Sequence, residues 1–181
     1  MSKVVFDRLI DGERQNKDGY YLKDARFFTG SGDSHRSLLL DTGASWTTVS
    51  KVVAKELGID FRSEENPELR NQWHSHGSRA PYSFLHNTWK KHSKKSIRVT
   101  STLANGEDIQ SYLHPVGLQM ENGFEFTSIV NIIPREVDTP LFGVQPIMRY
   151  AESFELKAGG ERIVAQFEES NMFDTVLSKY K

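Results

Sequence analysis

The chain of 181 residues contains no cysteine. This absence excludes disulfide bonds, zinc sites with thiolate ligands and cysteine nucleophiles. Long apolar runs are also missing, so no segment is long enough to cross a bilayer. Charges interrupt residues 1–8, which therefore lack the apolar stretch of a secretory signal. We expect a soluble, intracellular protein with no membrane partner.

The chain has no marked excess of charge of either sign. It contains 23 basic and 24 acidic residues, for a formal net charge of −1, so the overall balance gives no reason to expect a nucleic-acid partner. A basic run at residues 90–95 is expected to be a solvated loop, with a phosphate contact as the alternative. The proportions of hydrophobic residues (37%) and charged residues (26%) are typical of a folded protein, and we expect a single domain over residues 1–181.

Short strands separated by turn signals dominate the sequence. The dipeptides Asn105-Gly106 and Asn122-Gly123 each lie between alternating apolar segments, which is a strong signal for a β-hairpin. Another hairpin is predicted around the turn at residues 158–160. The pattern predicts a mostly β domain, either a barrel or a sandwich.

Residues that favour turns also occur in the first half of the chain. The cluster at residues 29–33 predicts a hairpin in which residues 26–28 pair with residues 37–40. Residues 38–40 are all leucine, a pattern that fits a strand buried on both faces.

Two short helices are predicted. The first covers residues 51–57, with Ser50 as its N-cap and Gly58 as the left-handed residue after its end. The second covers residues 144–151.

Polar segments are expected at two places on the surface, an insertion at residues 62–95 and a C-terminal tail at residues 168–181. The insertion holds four of the six histidines, but no carboxylate or cysteine accompanies them at the spacing of metal ligands. We therefore predict a polar loop, with neither a metal site nor another cofactor. These histidines are His74, His76, His86 and His92.

An acidic residue directly follows the leucine run, at Asp41. A carboxylate at the end of a buried strand is costly unless hydrogen bonds hold it. Thr42 and Ser45 bring hydroxyl groups, and Gly43 allows a backbone N–H to approach closely. The loop of residues 41–45 is therefore suited to presenting a carboxylate in a cavity.

Hydrolysis of an amide by water requires both a base and an acid, and two adjacent carboxyls that share one proton supply both. The sequence has no second Asp-Thr-Gly, because Asp138-Thr139 is followed by Pro140. A second copy of the chain, related by a twofold axis, would supply the partner carboxyl.

Three segments of the sequence resemble the retropepsin-like aspartic proteases of retroviruses and retrotransposons. The loop at residues 41–45, with the leucines before it and the helical segment after it, resembles the catalytic loop of that family. Residues 103–107 look like the flap hairpin of the retrotransposon branch, and residues 141–143 look like its apolar-apolar-glycine motif. The resemblance covers residues 36–163, apart from the insertion.

The resemblance implies a closed β barrel and assigns a role to each motif. Asp41 would be the catalytic aspartate, and Thr42 would hydrogen-bond across a dimer. The other residues with implied roles are Gly43, Ala44 and Ser45 in the substrate cleft, Ala104, Asn105 and Gly106 in the flap, and Leu141, Phe142 and Gly143 in the supporting motif.

The sequence therefore predicts an aspartic endopeptidase that acts as a homodimer on extended polypeptides, encoded by a retroelement or by a gene descended from one. Two alternatives remain open. The domain could be a catalytically inactive dimerisation or binding module, or it could be one lobe of a pepsin-like enzyme. Trp46, next to the catalytic loop, is either part of a substrate pocket or a packed core aromatic.

Overall fold

The structure, a computed structural model, describes residues 2–10, 13–14, 19–76, 95–136, 139–144, 146–147 and 151–167. The helices with complete bounds within these residues are α1 (Lys51–Glu56) and α2 (Pro67–His76). The strands are β1 (Ser2–Asp7), β2 (Leu9–Ile10), β3 (Glu13–Arg14), β4 (Tyr21–Thr29), β5 (Gly32–Leu40), β6 (Thr47–Ser50), β7 (Ile97–Thr102), β8 (Asp108–Gln119), β9 (Glu125–Ile133), β10 (Leu141–Phe142), β11 (Ala151–Leu156) and β12 (Arg162–Phe167).

Six strands close into a barrel in the order β4-β5-β10-β6-β9-β8, with β8 pairing back onto β4. The closing pairs include Arg26 opposite Gln119 and Phe28 opposite Gly117. Two pairings in the ring are parallel, β5 with β10 and β6 with β9. The predicted all-β fold is confirmed, and the barrel replaces the sandwich that the turn pattern alone left open.

Aromatic side chains fill the core between the barrel and a sheet of β1, β12 and β11 that extends from β4. The rings of Phe126 and Phe167 stack with their centroids 6.1 Å apart. Phe6 meets Phe142 edge to face at 5.3 Å. Burying such rings provides much of the driving force for folding. Because Phe142 lies in β10, this core also supports the loop that follows β5.

The three hairpins predicted from their turns are all present. The β7–β8 and β8–β9 hairpins turn at Gly106 and Gly123, with φ values of 83° and 88°. The β11–β12 hairpin turns through Gly159 and Gly160, which also have positive φ. Glycine adopts this backbone region without the steric penalty that other residues face.

The first hairpin differs from its prediction. A turn of two residues after Thr29 places Arg26 opposite His35 and Phe28 opposite Asp33, so the predicted pairing of residues 26–28 with residues 37–40 is wrong. The reason is that strand β5 begins inside the cluster expected to form the turn. The expectation of burial on both faces is also wrong, because Leu38 is fully buried but the next two leucines are only half-buried.

Helix α1 ends at Glu56, one residue before its predicted limit, and Gly58 follows in the predicted left-handed conformation, with φ 70° and its N–H bonded to the carbonyl of Lys55. Ser50 occupies the N-cap position but makes no capping hydrogen bond through its side chain. Of the predicted helix at residues 144–151, residues 146–147 are helical and residue 151 already belongs to strand β11.

Helix α2 lies inside the predicted polar insertion and was not predicted. The rest of the insertion that follows this helix, residues 77–94, and the tail at residues 168–181 lie outside the described residues. None of the helices in the described ranges is long and apolar enough to span a membrane.

Candidate active site

Asp41 directly follows strand β5, and the loop that it begins is held by backbone hydrogen bonds. The Asp41 N–H donates to the carbonyl of Phe142 at 3.0 Å, and the Asp41 carbonyl accepts from the N–H of Ala44 at 3.1 Å. The Asp41 Oδ1 atom accepts from the N–H of Gly43 at 2.9 Å. The half-buried carboxylate therefore has a fixed orientation, set by its own loop.

Strand β10 pairs with β5 and holds the Asp41 loop in place. Leu141 and Phe142 pair in parallel with Leu39 and Leu40. The N–H of Val144 donates to the carbonyl of Ala44 at 2.9 Å. Two backbone hydrogen bonds, from Asp41 to Phe142 and from Val144 to Ala44, therefore join the loop after β5 to β10 and the segment that follows it.

Gly143, directly after β10, packs closely against the backbone that leads into β6. Its N–H donates to Thr47 Oγ1 at 3.2 Å. A Cβ at this position would lie 2.3 Å from the carbonyl carbon of Trp46 and 2.6 Å from the nitrogen of Thr47. These are backbone atoms that cannot rotate away, so the position accepts only glycine.

A cavity of about 940 Å³ opens above the carboxylate. Its walls come from the loop after β5, the start of β6, the β7–β8 hairpin, strand β9 and the segment after β9. The lining residues that matter below are Asp41, Ser101, Leu113, Asn131, Ile133 and Glu136.

The residues of the predicted catalytic loop divide between the cavity and the surface. Gly43, Ala44 and Ser45 line the cavity together with Asp41. Thr42 is exposed and is not one of the lining residues.

The residues of the other two predicted motifs divide in the same way. Ala104 lines the cavity, whereas the turn residues Asn105 and Gly106 are exposed. Leu141 also lines the cavity, and the remaining two residues of its motif are buried.

The structure adds lining residues that the sequence analysis did not single out as functional. Asn131 is the clearest case, since it is a lone polar residue in the apolar run of residues 129–133. That signal was present in the sequence. Trp46 is half-buried and lines the cavity.

No protein-family model matches the sequence, and a search of curated proteins finds no match. Among solved structures, the chain is similar to a retropepsin-like aspartic protease from Rickettsia conorii, with a TM-score of 0.53 and 18% sequence identity. The alignment covers 92% of this chain and 91% of that chain. The chain has the retropepsin-like fold. At this identity the likeness extends to the fold and not to the chemistry.

An ion pair joins the β7–β8 turn to the segment after β9. Arg135 donates two hydrogen bonds to the carboxylate of Glu107, one from Nη2 to Oε1 at 2.5 Å and one from Nη1 to Oε2 at 3.2 Å. The hydrogen bond from Arg135, followed by its positive charge, lowers the pKa of Glu107. The same contact raises the pKa of Arg135. The pair holds the hairpin tip beside the cavity.

The cavity of one chain contains two carboxylates, Asp41 and the exposed Glu136. Among the described residues, no second carboxyl is hydrogen-bonded to Asp41. The described part of the chain also contains no group of three or more side chains suited to hold a metal ion. Of the four histidines of the predicted insertion, His86 and His92 lie outside the described residues.

Proposed function

We propose that the protein is an aspartic endopeptidase that acts as a homodimer and uses the Asp41 carboxyls of two chains. The observation that carries this proposal is the Asp41 loop, in which the carboxylate is oriented by the N–H of Gly43 at the floor of a large cavity. The retropepsin-like fold supports it, because this fold is also that of a protein described as an aspartic protease.

The chemistry requires two carboxyls that share one proton. The ionised carboxyl takes a proton from a water molecule, whose oxygen attacks the carbonyl carbon of the peptide bond. The protonated carboxyl donates its proton to the carbonyl oxygen. The tetrahedral intermediate then breaks its C–N bond: the carboxyl that took the proton from water gives it to the departing nitrogen, and the other, now ionised, carboxyl takes a proton from one hydroxyl of the intermediate, which restores the single shared proton. Like charges this close cannot both be ionised, which keeps one carboxyl protonated.

A second copy of the chain is the proposed source of the second carboxyl. A twofold axis beside Asp41 would bring the same loop of the partner opposite, since identical surfaces meet across such an axis. The exposed side chain of Thr42 would then be available for a hydrogen bond between the two loops.

The proposed substrate is a polypeptide in an extended conformation. A cavity of about 940 Å³ bounded by a β-hairpin can hold several side chains and offers backbone groups for strand-like pairing. The β7–β8 hairpin would act as a flap, with Leu103 and Ala104 facing the substrate. Closure of the flap would exclude water from the reacting bond.

Replacement of the catalytic carboxylate is the first test. We expect Asp41→Asn to lower kcat/KM at least about a thousandfold on a diverse peptide library, because the variant has neither the base nor the shared proton. The matched control is Glu121→Gln, which removes an exposed carboxylate outside the cavity and should leave kcat/KM near the wild-type value.

Three results would contradict this assignment. An Asp41→Asn variant as active as wild type would end the catalytic claim. A wild-type dimer that cleaves nothing would indicate an inactive dimerisation or binding module. A strictly monomeric chain in sedimentation experiments would favour a single lobe that needs a different partner.

A further inference from the structure

Glu136 lies in the segment after β9 and lines the same cavity as Asp41, with an exposed side chain. In the part of the chain that the structure describes, its carboxylate takes part in no hydrogen bond or ion pair. An ionised carboxylate only accepts hydrogen bonds and attracts cations. Because the side chain is both accessible and unpaired, it can turn toward a ligand in the cavity without losing another contact.

The adjacent cation, Arg135, is bound to a different carboxylate. Arg135 also lines the cavity, but two hydrogen bonds join its guanidinium to Glu107. Bidentate contacts of this kind are among the stronger ion pairs, because two parallel N–H groups meet the two carboxylate oxygens. Glu107 is not a lining residue, so it offsets the charge of Arg135 from outside the cavity. Glu136 is therefore left without a cation of its own.

The charge that lines the cavity is negative once the ion pair of Arg135 is taken into account. The other charged lining residues are Asp41 and Glu136, and the wall between them includes apolar side chains such as Leu113 and Ile133. The proposed chemistry uses Asp41 at the reacting bond. A basic side chain of a bound peptide would therefore find its partner at Glu136, whereas an acidic side chain would be repelled.

We propose that Glu136 is a specificity-determining residue that binds a lysine or arginine side chain of the peptide. This inference rests on the proposed peptidase function and adds a substrate preference to it. A peptide that spans the proposed dimer would meet Glu136 of one chain on one side of the cleaved bond and the same residue of the second chain on the other side, since a twofold axis repeats every residue. The preference for a basic side chain therefore belongs to two positions of the peptide.

The preference is measured with a positional-scanning peptide library that compares lysine, Nε-acetyllysine and glutamate at each position. Acetyllysine keeps the long side chain of lysine and lacks its positive charge. We expect lysine to exceed acetyllysine about threefold in kcat/KM at one position on each side of the cleaved bond, within the range for an ion pair with an exposed carboxylate. Glutamate should give the lowest kcat/KM of the three at these positions, because like charges repel.

Two variants assign the preference to Glu136. Glu136→Gln keeps the shape and removes the charge, so lysine and acetyllysine should become nearly equivalent at both positions. Glu136→Lys reverses the charge, so glutamate should exceed lysine there. The matched control is Glu121→Gln, which removes an exposed carboxylate outside the cavity and should keep the wild-type preference.

Any of three results would overturn the role of Glu136. The first is equal cleavage of lysine and acetyllysine peptides at every position. The second is a lysine preference that persists in Glu136→Gln. The third is a lysine preference of the same size at all positions, which would reflect the overall charge of the cavity and not the position of one residue.

Peptide binding to the Asp41→Asn variant, measured by calorimetry, separates the failure of this inference from that of the peptidase function. Suppose that the wild-type protein cleaves nothing, but that Asp41→Asn binds a lysine peptide about threefold more tightly than the acetyllysine peptide. That result would refute the peptidase and support the role of Glu136. Cleavage with no preference for lysine would support the peptidase and overturn the role of Glu136, and failure of Asp41→Asn to bind any peptide would overturn that role too.

Discussion

The orientation of Asp41 depends on residues that are distant in sequence, and Gly143 is the one with least freedom. It lies against the backbone of Trp46 and Thr47, the residues that lead from the Asp41 loop into β6. Any side chain at this position would push the loop and β10 apart. From the sequence, Gly143 could be identified only through a family resemblance, and its close approach to the backbone gives the physical reason for glycine there.

We expect Gly143→Ala to lower the free energy of unfolding by about 3 kcal/mol, at the upper end of the range for overpacked sites, because its Cβ would overlap backbone atoms. Urea denaturation provides the measurement. The comparison variant is Gly106→Ala, where the space is open and only the positive φ is strained, at a cost of about 1 kcal/mol. A smaller loss at Gly143 than at Gly106 would contradict this view of the loop.

Asn131 marks the limit of sequence reasoning at the level of single residues. Its position inside an apolar strand could be recognised from the sequence. Its hydrogen bond to Ser101 could not, because Ser101 and the adjacent Ser111 come from the β7–β8 hairpin. The registers of β7 against β8 and of β8 against β9 bring these groups together.

Among the elements, the hairpins were the easiest to predict. Their turns are encoded by adjacent residues, and glycine at positive φ closes each one. Helix α2 was missed although its start carried a local signal. Asn66 Oδ1 accepts from the N–H groups of Glu68 and Leu69, and Pro67 occupies the first turn. The polar composition concealed this helix, because among its first residues Leu69 alone is fully buried.

The ion pair between Glu107 and Arg135 gives a prediction for the β7–β8 hairpin. At neutral pH, Glu107→Gln should speed amide hydrogen exchange at Leu103 and Gly106, the turn residues, by about twofold to fivefold, the range for an exposed ion pair. The matched control is Glu121→Gln in the turn of the β8–β9 hairpin, which should leave these two amides unchanged.

The sign of the pH dependence follows from the lowered pKa of Glu107. A carboxyl with a depressed pKa contributes its stabilisation above the pKa of the unfolded chain and loses it as the pH falls through the lower folded value. The difference between wild type and Glu107→Gln should therefore shrink as the pH falls below the ordinary range of a glutamate carboxyl, and vanish where Glu107 is fully protonated. A difference that persists there, or none at neutral pH, would contradict the role of the pair.

For the whole molecule, the closed barrel depends on pairings that local patterns do not encode. The β4–β8 contact joins residues 26–28 to residues 117–119, and Phe28 lies where a Cβ on Gly117 would be. Alternation and turn signals limited the fold to a barrel or a sandwich, and only the family resemblance favoured the barrel. The arrangement of two copies follows neither from the sequence pattern nor from the structure of one chain.

The central claim is that each active site needs one Asp41 from each of two chains. The direct measurement is the cleavage rate of an equimolar mixture of wild type and Asp41→Asn after full subunit exchange, at fixed total protein. Shared sites predict about a quarter of the all-wild-type rate, because only dimers with two intact aspartates cleave. A rate of about one half would mean that each chain works alone and would contradict the claim.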